Sequence, residues 1–269
     1  MRVEKQMDET KYLFFDFDDT VFVDKKLPKE NLNAMRAAQA AGHKLILNTG
    51  RSYGGLLKEP VAFDVPWDGM ILGAGDIRYQ GEILLQERLP LETMLAWLEY
   101  CLERRFIFGY GGEKKFKKLS LHRHEQPLTE EEKEKYRQKI AYELEERENP
   151  PTKISIYEPS ELFDREHLPS DPKDIIFHPT FVEVYAPGCN KGSAILKFCQ
   201  KTGVSIEQCV CFGDSLNDCD MFRVCPTSVC MDISHETLKK MATYEAKTKY
   251  GVAEGILWLF GEDILLTNA

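Results

Sequence analysis

Three carboxylates stand close together at the end of a short apolar run near the start of the chain. The run from Tyr12 to Phe15 is followed at once by Asp16, and then by Asp18 and Asp19. Carboxylates repel one another and are costly beside a buried strand, so such a cluster is typical of a site that binds a cation or handles a phosphate. Mg²⁺ prefers a few carboxylate oxygens and keeps its waters. Taken alone, the stretch could also be a polar turn in which Asp19 and Thr20 cap the next segment.

Two other apolar runs end in polar residues in the same way. The run from His43 to Leu47 leads to a hydroxyl and a glycine turn, and the run from Gln208 to Phe212 leads to a second acidic cluster. In an open parallel sheet, ligands bind at the edge where the carboxyl ends of the strands meet. We therefore expect the groups after these runs to converge with Asp16 on one site. The candidates from the two later runs are Thr49, Gly50, Arg51, Asp214, Asn217 and Asp218.

One lysine, Lys191, is predicted to open the helix before the last of these strands. A cation is mildly unfavourable at a helix start because of the helix dipole, which favours a functional role for this residue. With Lys191, the set contains what phosphoryl transfer needs: a carboxylate nucleophile, a second carboxyl that carries a proton, ligands for Mg²⁺, and donors for the transferred oxygens. Asp16 can approach an anionic phosphate only if Mg²⁺ and Lys191 neutralise the charge between them.

The elements that must position these groups follow an α/β order. A helix from Pro28 to Ala41 joins the first two strands, which predicts a right-handed parallel crossover. A hairpin over residues 77–85 follows, and strands alternate with helices again after residue 187.

The segment between these two parts has a different character. It contains a helix from Pro90 to Arg104 with leucines on one face, a highly charged helix from Thr129 to Glu148, and short strands separated by prolines. We predict an α/β fold in which residues 1–88 and 187–269 form a Rossmann-like parallel-sheet core, and residues 89–186 form an inserted α+β domain.

The composition limits the functional class. The chain has 269 residues, of which 43% are hydrophobic and 29% are charged, as in globular proteins that bury a full core. Its net charge of −9 argues against a general nucleic-acid binder. There is no apolar run of the roughly 20 residues that a membrane helix needs, and no apolar signal segment. We expect no membrane association and a cytoplasmic location. The oligomeric state is not predicted.

Several other groups have a simpler structural interpretation. The 8 cysteines form no C-x-x-C pair, so we expect buried, reduced thiols rather than a zinc site. Four histidines lack metal-binding spacing: His122, His124, His167 and His178. Four lysines could attract phosphorylated substrates, but they suit a solvated face: Lys114, Lys115, Lys117 and Lys118. Three aromatic residues suit strand packing: Phe106, Phe108 and Tyr110.

Four motifs resemble those of the haloacid dehalogenase superfamily, and within it the Cof-type branch of sugar-phosphatase-like hydrolases. They are Asp16-Phe17-Asp18-Asp19-Thr20, Thr49-Gly50-Arg51, Lys191-Gly192, and Gly213-Asp214-Ser215-Leu216-Asn217-Asp218. The motifs occur in the family's order, and the large insertion between the second and third resembles the family's type-two cap domain. The resemblance implies a parallel-sheet core, an inserted α+β cap and Mg²⁺-dependent phosphatase activity.

The resemblance also implies roles for the acidic residues. Asp16 would attack the phosphorus and become an aspartyl phosphate. Asp18 would protonate the leaving oxygen and then activate the water that cleaves the intermediate. Mg²⁺ would be held by Asp16, by the backbone carbonyl of Asp18 and by Asp214, with Asp218 acting through water or orienting a ligand.

The transferred phosphoryl oxygens would be bound by a second set of residues in this comparison: Thr49, the Gly50 amide, Lys191 and Asn217. Arg51 would either bind substrate or pair with an acid of the core. Two departures affect the neighbourhood of the site, since most members of the family carry glycine where this chain has Asp19, and Asn-Gly where it has Leu72-Gly73.

The sequence therefore predicts a Mg²⁺-dependent phosphatase that acts on a small phosphorylated metabolite, such as a sugar phosphate. A phosphomutase of the same superfamily is one alternative, and a requirement for a sugar bisphosphate would indicate it. A regulatory or binding protein without turnover is another, although the Asp16 and Asp18 pair would then be a costly feature without a use.

Overall fold

The computed structural model describes residues 9–112, 114–121, 127–145 and 151–268. Its strands are β1 (Tyr12–Phe15), β2 (Lys44–Thr49), β3 (Gly69–Leu72), β4 (Asp76–Tyr79), β5 (Glu82–Gln86), β6 (Ile107–Gly111), β7 (Phe116–Ser120), β8 (Lys153–Ile156), β9 (Ile175–Phe177), β10 (Val182–Tyr185), β11 (Cys209–Gly213), β12 (Thr227–Cys230) and β13 (Tyr244–Glu245). Its helices are α1 (Lys29–Ala40), α2 (Tyr53–Leu56), α3 (Leu91–Arg104), α4 (Glu130–Glu145), α5 (Lys191–Thr202), α6 (Cys219–Val224), α7 (Glu236–Met241) and α8 (Gly251–Phe260).

The larger sheet has the strand order β13-β12-β11-β1-β2-β3-β4-β5. The pairs from β13 to β3 are parallel, and β4 and β5 form an antiparallel hairpin at one edge. Four apolar residues suffice for β1 because it lies inside the sheet, where both faces and both edges are covered. The predicted α/β class and parallel core are confirmed.

The register of β1 places the predicted site residues at one edge. Phe15 pairs with Phe212 on one neighbouring strand and with Leu47 on the other. The amide of Asp16 then donates to the Phe212 carbonyl at 2.9 Å, which extends the ladder by one residue. Because all three strands run in the same direction, the prediction that their carboxyl ends share one edge is confirmed.

Alternation along β1 divides the core into two layers. Leu13 and Phe15 face the layer that contains α1 and α8, whereas Phe14 faces the layer that contains α5, α6 and α7. All three side chains are fully buried, and each such burial stabilises the fold by about 1.5–3 kcal/mol. The acidic cluster therefore follows a rigid strand, which fixes the position of its first carboxylate.

The smaller sheet has the strand order β7-β6-β8-β10-β9, and all its pairs are antiparallel. Residues of α3 and α4 pack on one of its faces, with Trp97, Ile140 and Phe108 fully buried in that layer. The expected α+β architecture of the inserted segment is therefore present, while the boundaries at residues 88 and 186 remain predictions. Phe106, Phe108 and Tyr110 pack in this layer, as predicted.

Strand alternation gives the smaller sheet a second, polar face. Ile154 and Val184 point into the apolar layer, so their neighbours Lys153, Ser155 and Glu183 lie on the opposite face. This opposite face covers the edge of the larger sheet at which the acidic cluster lies. The segment over residues 89–186 is called the cap below.

Two glycines allow the cap to approach the core at backbone distance. The amide of Gly54, in α2, donates to the Gly112 carbonyl at 2.9 Å. A Cβ on Gly54 would overlap the backbone of Lys115, and a Cβ on Gly111 would overlap the side chain of Ser52. The turn between β6 and β7 thus docks directly on α2. None of the helices among the described residues combines the length and the apolar character needed to cross a bilayer.

We expect Gly54→Ala to push the β6–β7 turn away from α2, because overpacking of this kind costs about 1–3 kcal/mol. The neighbouring substitution Gly55→Ala is the matched control, since its Cβ would meet no cap atom within 4 Å. Small-angle scattering should give a larger radius of gyration for Gly54→Ala than for Gly55→Ala. Equal radii for the two variants would contradict this account of cap docking.

Candidate active site

Three carboxylates meet at the edge of the larger sheet. Oxygen atoms of Asp16, Asp214 and Asp218 all lie within 4.8 Å of one another. Asp218 is fully buried, and its Oδ2 accepts hydrogen bonds from the amides of Asp214 and Ser215 at 2.9 and 3.0 Å. Gly213 makes room for this carboxylate, since a Cβ there would lie 2.6 Å from it. Residues from two distant segments therefore form one acidic cluster, as the sequence predicted.

Lys191 joins this cluster from the start of α5. Its Nζ donates to Oδ1 of Asp16 and to Oδ1 of Asp218, each at 2.5 Å. The helix begins here because Asn190 and Ser193 form a capping box, in which the Asn190 side chain accepts from the Ser193 amide at 2.7 Å. The strongly buried lysine thus enters the site from a fixed helix terminus rather than from a flexible loop.

Two further residues hold the start of α5 in place. Asn48 lies in β2, and its fully buried side chain donates to the Lys191 carbonyl at 3.2 Å. A Cβ on Gly192 would overlap the carbonyl of Asp220, so glycine at this position lets α5 pack closely on α6. The third motif therefore contains one residue that acts in the site and one that permits the packing around it.

The cluster is short of positive charge. Burial raises the pKa of Asp16 well above its ordinary value, and Asp218 and Asp214 add to this effect while Lys191 opposes it. Burial, together with the charge of Asp218, raises the pKa of Asp214 to about 7. Burial alone would lower the pKa of Lys191, but the charges of Asp16 and Asp218 outweigh it and raise that pKa. One lysine therefore does not neutralise three carboxylates.

The residues present fit a hard divalent cation such as Mg²⁺, since oxygen ligands and excess negative charge are what this ion requires. Thr20 Oγ1 donates to Asp214 Oδ1 at 3.0 Å and so orients that carboxylate from behind. Both oxygens of Asp218 already accept hydrogen bonds, which suits an orienting role better than direct ligation. The predicted contribution of the Asp18 backbone carbonyl stays a prediction.

Arg51 pairs with the predicted acid–base residue. Its Nε and Nη2 donate to the two oxygens of Asp18, each at 2.8 Å, and its Nη1 donates to Glu59 at 3.2 Å. The guanidinium also lies over the Phe17 ring, 5.6 Å from the centroid. Of the two roles considered for Arg51, the structure shows the ion pair with an acid. Such a bidentate pair fixes both the position and the orientation of the Asp18 carboxylate.

The remaining predicted phosphate-binding residues surround the same edge. Thr49 is buried at the end of β2, and its Oγ1 accepts from the Arg51 amide at 3.1 Å. Gly50 faces the cap, since a Cβ there would lie 3.0 Å from the Tyr185 hydroxyl. Asn217 is half-buried in the turn before Asp218, and its Oδ1 accepts from Ser215 Oγ at 2.7 Å. Their contacts with a phosphoryl group remain predictions.

Asp19 occupies a backbone conformation that explains why glycine is common at this position. Its φ is 59°, in the left-handed region, where glycine is unstrained and aspartate is among the better tolerated alternatives. The side chain is exposed, and partial burial, Asp18 and Asp24 raise its pKa. The extra carboxylate lies outside the buried acidic cluster.

Sequence reasoning did not identify a buried charge network in the cap. Glu183 accepts hydrogen bonds from Lys153, from Tyr185 Oη at 2.7 Å and from His178 Nε2 at 3.3 Å. Burial acts to raise the pKa of Glu183, but Lys153 and His178 outweigh it and hold that pKa well below its ordinary value. The only sign of this network in the sequence was Glu183, a charged residue between Val182 and Val184 in a predicted strand.

Glu183 and Tyr185 bring this network to the edge of the larger sheet at which the acidic cluster lies. The Tyr185 hydroxyl and the Glu183 carboxylate are the groups nearest to the Cβ position of Gly50. Burial and the charge of Glu183 raise the pKa of Tyr185, and the charges of Asp16 and Asp218 add to this effect. Lys153 and Glu183 of this network line a cavity of about 340 Å³ between cap and core, together with Arg51. The cap face of the site is therefore charged, buried and in contact with the second motif.

The cysteines and the other histidines were the remaining candidates for a metal site. All 8 cysteines are free and buried, as expected. In the described ranges the acidic cluster is the one group of carboxylate, histidine or cysteine ligands with metal-binding geometry. His167 pairs with Asp164, and His178 belongs to the cap network, while His122 and His124 lie outside the described residues.

We expect Lys153→Met to lower the free energy of unfolding by about 3–5 kcal/mol at neutral pH, because it leaves the buried Glu183 carboxylate without its cation. The double variant Lys153→Met/Glu183→Gln should recover most of this loss, which urea unfolding would measure. Because the folded pKa of Glu183 is lowered, its contribution to stability is present above the ordinary carboxylate pKa of 4.5 and is lost as the pH falls below it. A double variant as unstable as Lys153→Met would contradict this assignment.

Comparison with known proteins places the chain in a family. A family model described as haloacid dehalogenase-like hydrolase matches residues 13–258. The 5-amino-6-(5-phospho-D-ribitylamino)uracil phosphatase YcsE of Bacillus subtilis is 26% identical over 260 residues, which cover 95% of this chain and 98% of that protein. An HMP-PP phosphatase of Cronobacter sakazakii is 42% identical over a short segment that covers 16% of each chain.

Solved structures share the fold. The HAD subclass IIB sugar phosphatase BT4131 superposes with a TM-score of 0.73 at 24% identity, covering 94% of this chain and 99% of that one. BT1666 of Bacteroides thetaiotaomicron superposes with a TM-score of 0.75 at 20% identity, covering 97% and 98%. The match of the family model over most of the chain shows what the motifs indicated: the protein belongs to the haloacid dehalogenase-like hydrolases, in their Cof-type branch, and is an enzyme of the phosphatase type.

Proposed function

We propose that the protein is a Mg²⁺-dependent phosphatase that hydrolyses a small phosphorylated metabolite through an aspartyl phosphate on Asp16. The observation that carries this proposal is the position of Lys191 Nζ between Asp16 and Asp218, inside a carboxylate cluster at the end of β1. A buried carboxylate of this kind needs compensating charge before a phosphate dianion can approach it, and both a lysine and a cation-binding group of oxygens are present.

We assign Asp16 as the nucleophile. Its Oδ1 accepts from Lys191, and within the described part of the chain its Oδ2 accepts no hydrogen bond. That oxygen attacks the phosphorus in line with the leaving oxygen, and the phosphorus–oxygen bond to the leaving group breaks. Mg²⁺, when bound by Asp16 and Asp214, would supply charge stabilisation for the phosphoryl oxygens. Lys191 keeps its proton throughout, because its two carboxylate partners raise its pKa.

We assign Asp18 as the general acid and base. It donates a proton to the leaving oxygen in the first step and accepts a proton from the attacking water in the second. The Arg51 guanidinium determines where the Asp18 oxygens lie, and Glu59 holds the guanidinium on its other side. The side chain of Asp18 is about half exposed, with 48% of its surface accessible, so it can exchange its proton between turnovers.

The other polar groups would bind the transferred phosphoryl oxygens. We assign this role to the Thr49 hydroxyl, the Gly50 amide, Lys191 and Asn217, which lie after β2, at the start of α5 and after β11. Donors fixed on strand ends and a helix start stabilise developing charge without having to reorganise. Docking of the cap over this edge would keep bulk water from the first step.

The substrate would be a small phosphorylated compound. This follows from the relatives, whose names describe phosphatases of a phosphoribitylaminouracil, of HMP-PP and of sugars. The cavity between cap and core, at about 340 Å³, is also of the size that small-molecule sites have.

Asp16→Asn and Asp18→Asn should each lower kcat for p-nitrophenyl phosphate by about 10³-fold or more. The first variant lacks the carboxylate that bonds to phosphorus, and the second lacks the group that transfers the proton. The matched control is Asp19→Asn, a neighbouring carboxylate that is exposed and tolerates asparagine at its φ of 59°. It should keep its kcat within about threefold of the wild type. Full activity in Asp16→Asn would contradict the proposed nucleophile.

Removal of divalent metal with EDTA should abolish hydrolysis, and added Mg²⁺ should restore it, because Lys191 alone leaves the acidic cluster negatively charged. Titration calorimetry should show Mg²⁺ binding to the wild-type protein and at least about tenfold weaker binding to Asp214→Asn. Hydrolysis that persists unchanged in EDTA would contradict the metal dependence.

A further inference from the structure

The cavity between cap and core has walls that the proposed reaction does not use. The core contributes Arg51, Ser52, Gly55 and Lys58, and the face of the cap sheet contributes the other side. The cap residues of this wall are Phe116, Lys153, Ser155, Tyr157, Phe181 and Glu183. The cavity begins at Arg51, the residue that binds Asp18 at 2.8 Å, so a leaving group protonated by Asp18 would extend into it.

Three aromatic rings form the apolar part of the cap wall. The rings of Phe116 and Tyr157 meet edge to face, with centroids 6.1 Å apart and an interplanar angle of 87°. Tyr157 and Phe181 are closer to parallel, at 6.4 Å and 29°. Phe116 lies in β7, Tyr157 directly follows β8, and Phe181 directly precedes β10. By strand alternation all three lie on the sheet face that looks towards the core. His178 stacks on the Phe181 ring, with centroids 4.1 Å apart, and Lys118 Nζ lies 4.2 Å from the Tyr157 centroid. The ring surfaces that line the cavity are therefore what a further planar group would contact.

The charged groups of the cavity are already neutralised, with one exception. Lys153 pairs with Glu183, and Arg51 pairs with Asp18 and Glu59. Lys58 lies over the Phe116 ring, 5.1 Å from its centroid, and forms no ion pair with any residue in the described ranges. The cavity therefore lacks the cluster of unpaired cations that a second phosphate would need. The other polar residues that line it are Ser52, Ser155 and Tyr157.

We propose that this cavity binds a planar heteroaromatic ring of the leaving group, so that the preferred substrates are phosphate monoesters whose alcohol carries such a ring. This inference rests on the proposed phosphatase function and deepens it. The ring packs against Phe116, Tyr157 and Phe181, and its polar edge meets the serine hydroxyls and Lys58. A simple sugar phosphate would make no ring contact with the aromatic wall, although it would react at the same acidic cluster.

The test compares three substrates: uridine 5′-monophosphate, ribose 5-phosphate, which keeps the sugar but lacks the ring, and acetyl phosphate, which is too small to reach the cavity. The wild-type enzyme should give a kcat/KM for the nucleotide at least about fivefold above that for ribose 5-phosphate, since stacking of one base contributes about 5- to 150-fold. Tyr157→Leu and Phe181→Leu should each remove most of this preference while leaving acetyl phosphate within about twofold of the wild type. Tyr142→Leu, an exposed aromatic residue of the cap, is the matched control and should change nothing.

A second measurement needs no variant. Uridine should inhibit hydrolysis of uridine 5′-monophosphate by the wild-type enzyme competitively, because both place the ring in the same cavity, and ribose at the same concentration should not. Equal kcat/KM for the nucleotide and ribose 5-phosphate, or equal losses on all three substrates in the variants, would overturn the inference and leave the phosphatase proposal intact. Failure of the wild-type enzyme to hydrolyse acetyl phosphate would instead overturn the proposed function, and this inference with it.

Discussion

The pair of hydrogen bonds that Lys191 donates to Asp16 and Asp218 is the interaction on which the rest of the site depends. Three carboxylates within 4.8 Å of one another would be strongly destabilising without a cation among them. Lys191 is buried, and it reaches this position only because α5 begins at a capping box whose first turn is held by Asn48. Hydrogen bonds therefore join the helix start, the neighbouring strand and the acidic cluster into one rigid unit.

A parallel sheet is what brings this unit together. Asp16 and Asp218 are about two hundred residues apart in sequence, yet β1 and β11 are hydrogen-bonded neighbours with their carboxyl ends at one edge. The cap then closes the edge with the polar face of a second sheet, whose docking depends on the absence of side chains at Gly54 and Gly111. The core thus fixes the acidic cluster, and the cap supplies the polar face that lies over it.

The sequence predicted the parts of the site that depend on local pattern. Short apolar runs ending in Asp16, Thr49 and Asp214 indicated parallel strands, and the topology of such sheets placed their ends together. The left-handed backbone conformation of Asp19 could also have been predicted from the motif, because a residue that stands where glycine is usual indicates such a conformation.

The parts that the sequence did not predict depend on contacts between distant segments. Whether Arg51 would bind substrate or an acid depended on the position of Asp18, which lies on a different strand end. Alternation in β10 places Glu183 and Tyr185 on one face, but only the docking of the cap shows that this face is buried against the core. The aromatic wall joins three segments of the cap that share no pattern in sequence.

The most direct test of the central claim is to identify the residue that carries the phosphoryl group during turnover. Borohydride reduction of the enzyme, quenched while it hydrolyses acetyl phosphate, converts an aspartyl phosphate into homoserine, which peptide mass spectrometry locates. The account predicts homoserine at position 16, in an amount that depends on substrate and disappears in Asp16→Asn. Homoserine at another position, or turnover that leaves no reducible intermediate under any quench time, would contradict it.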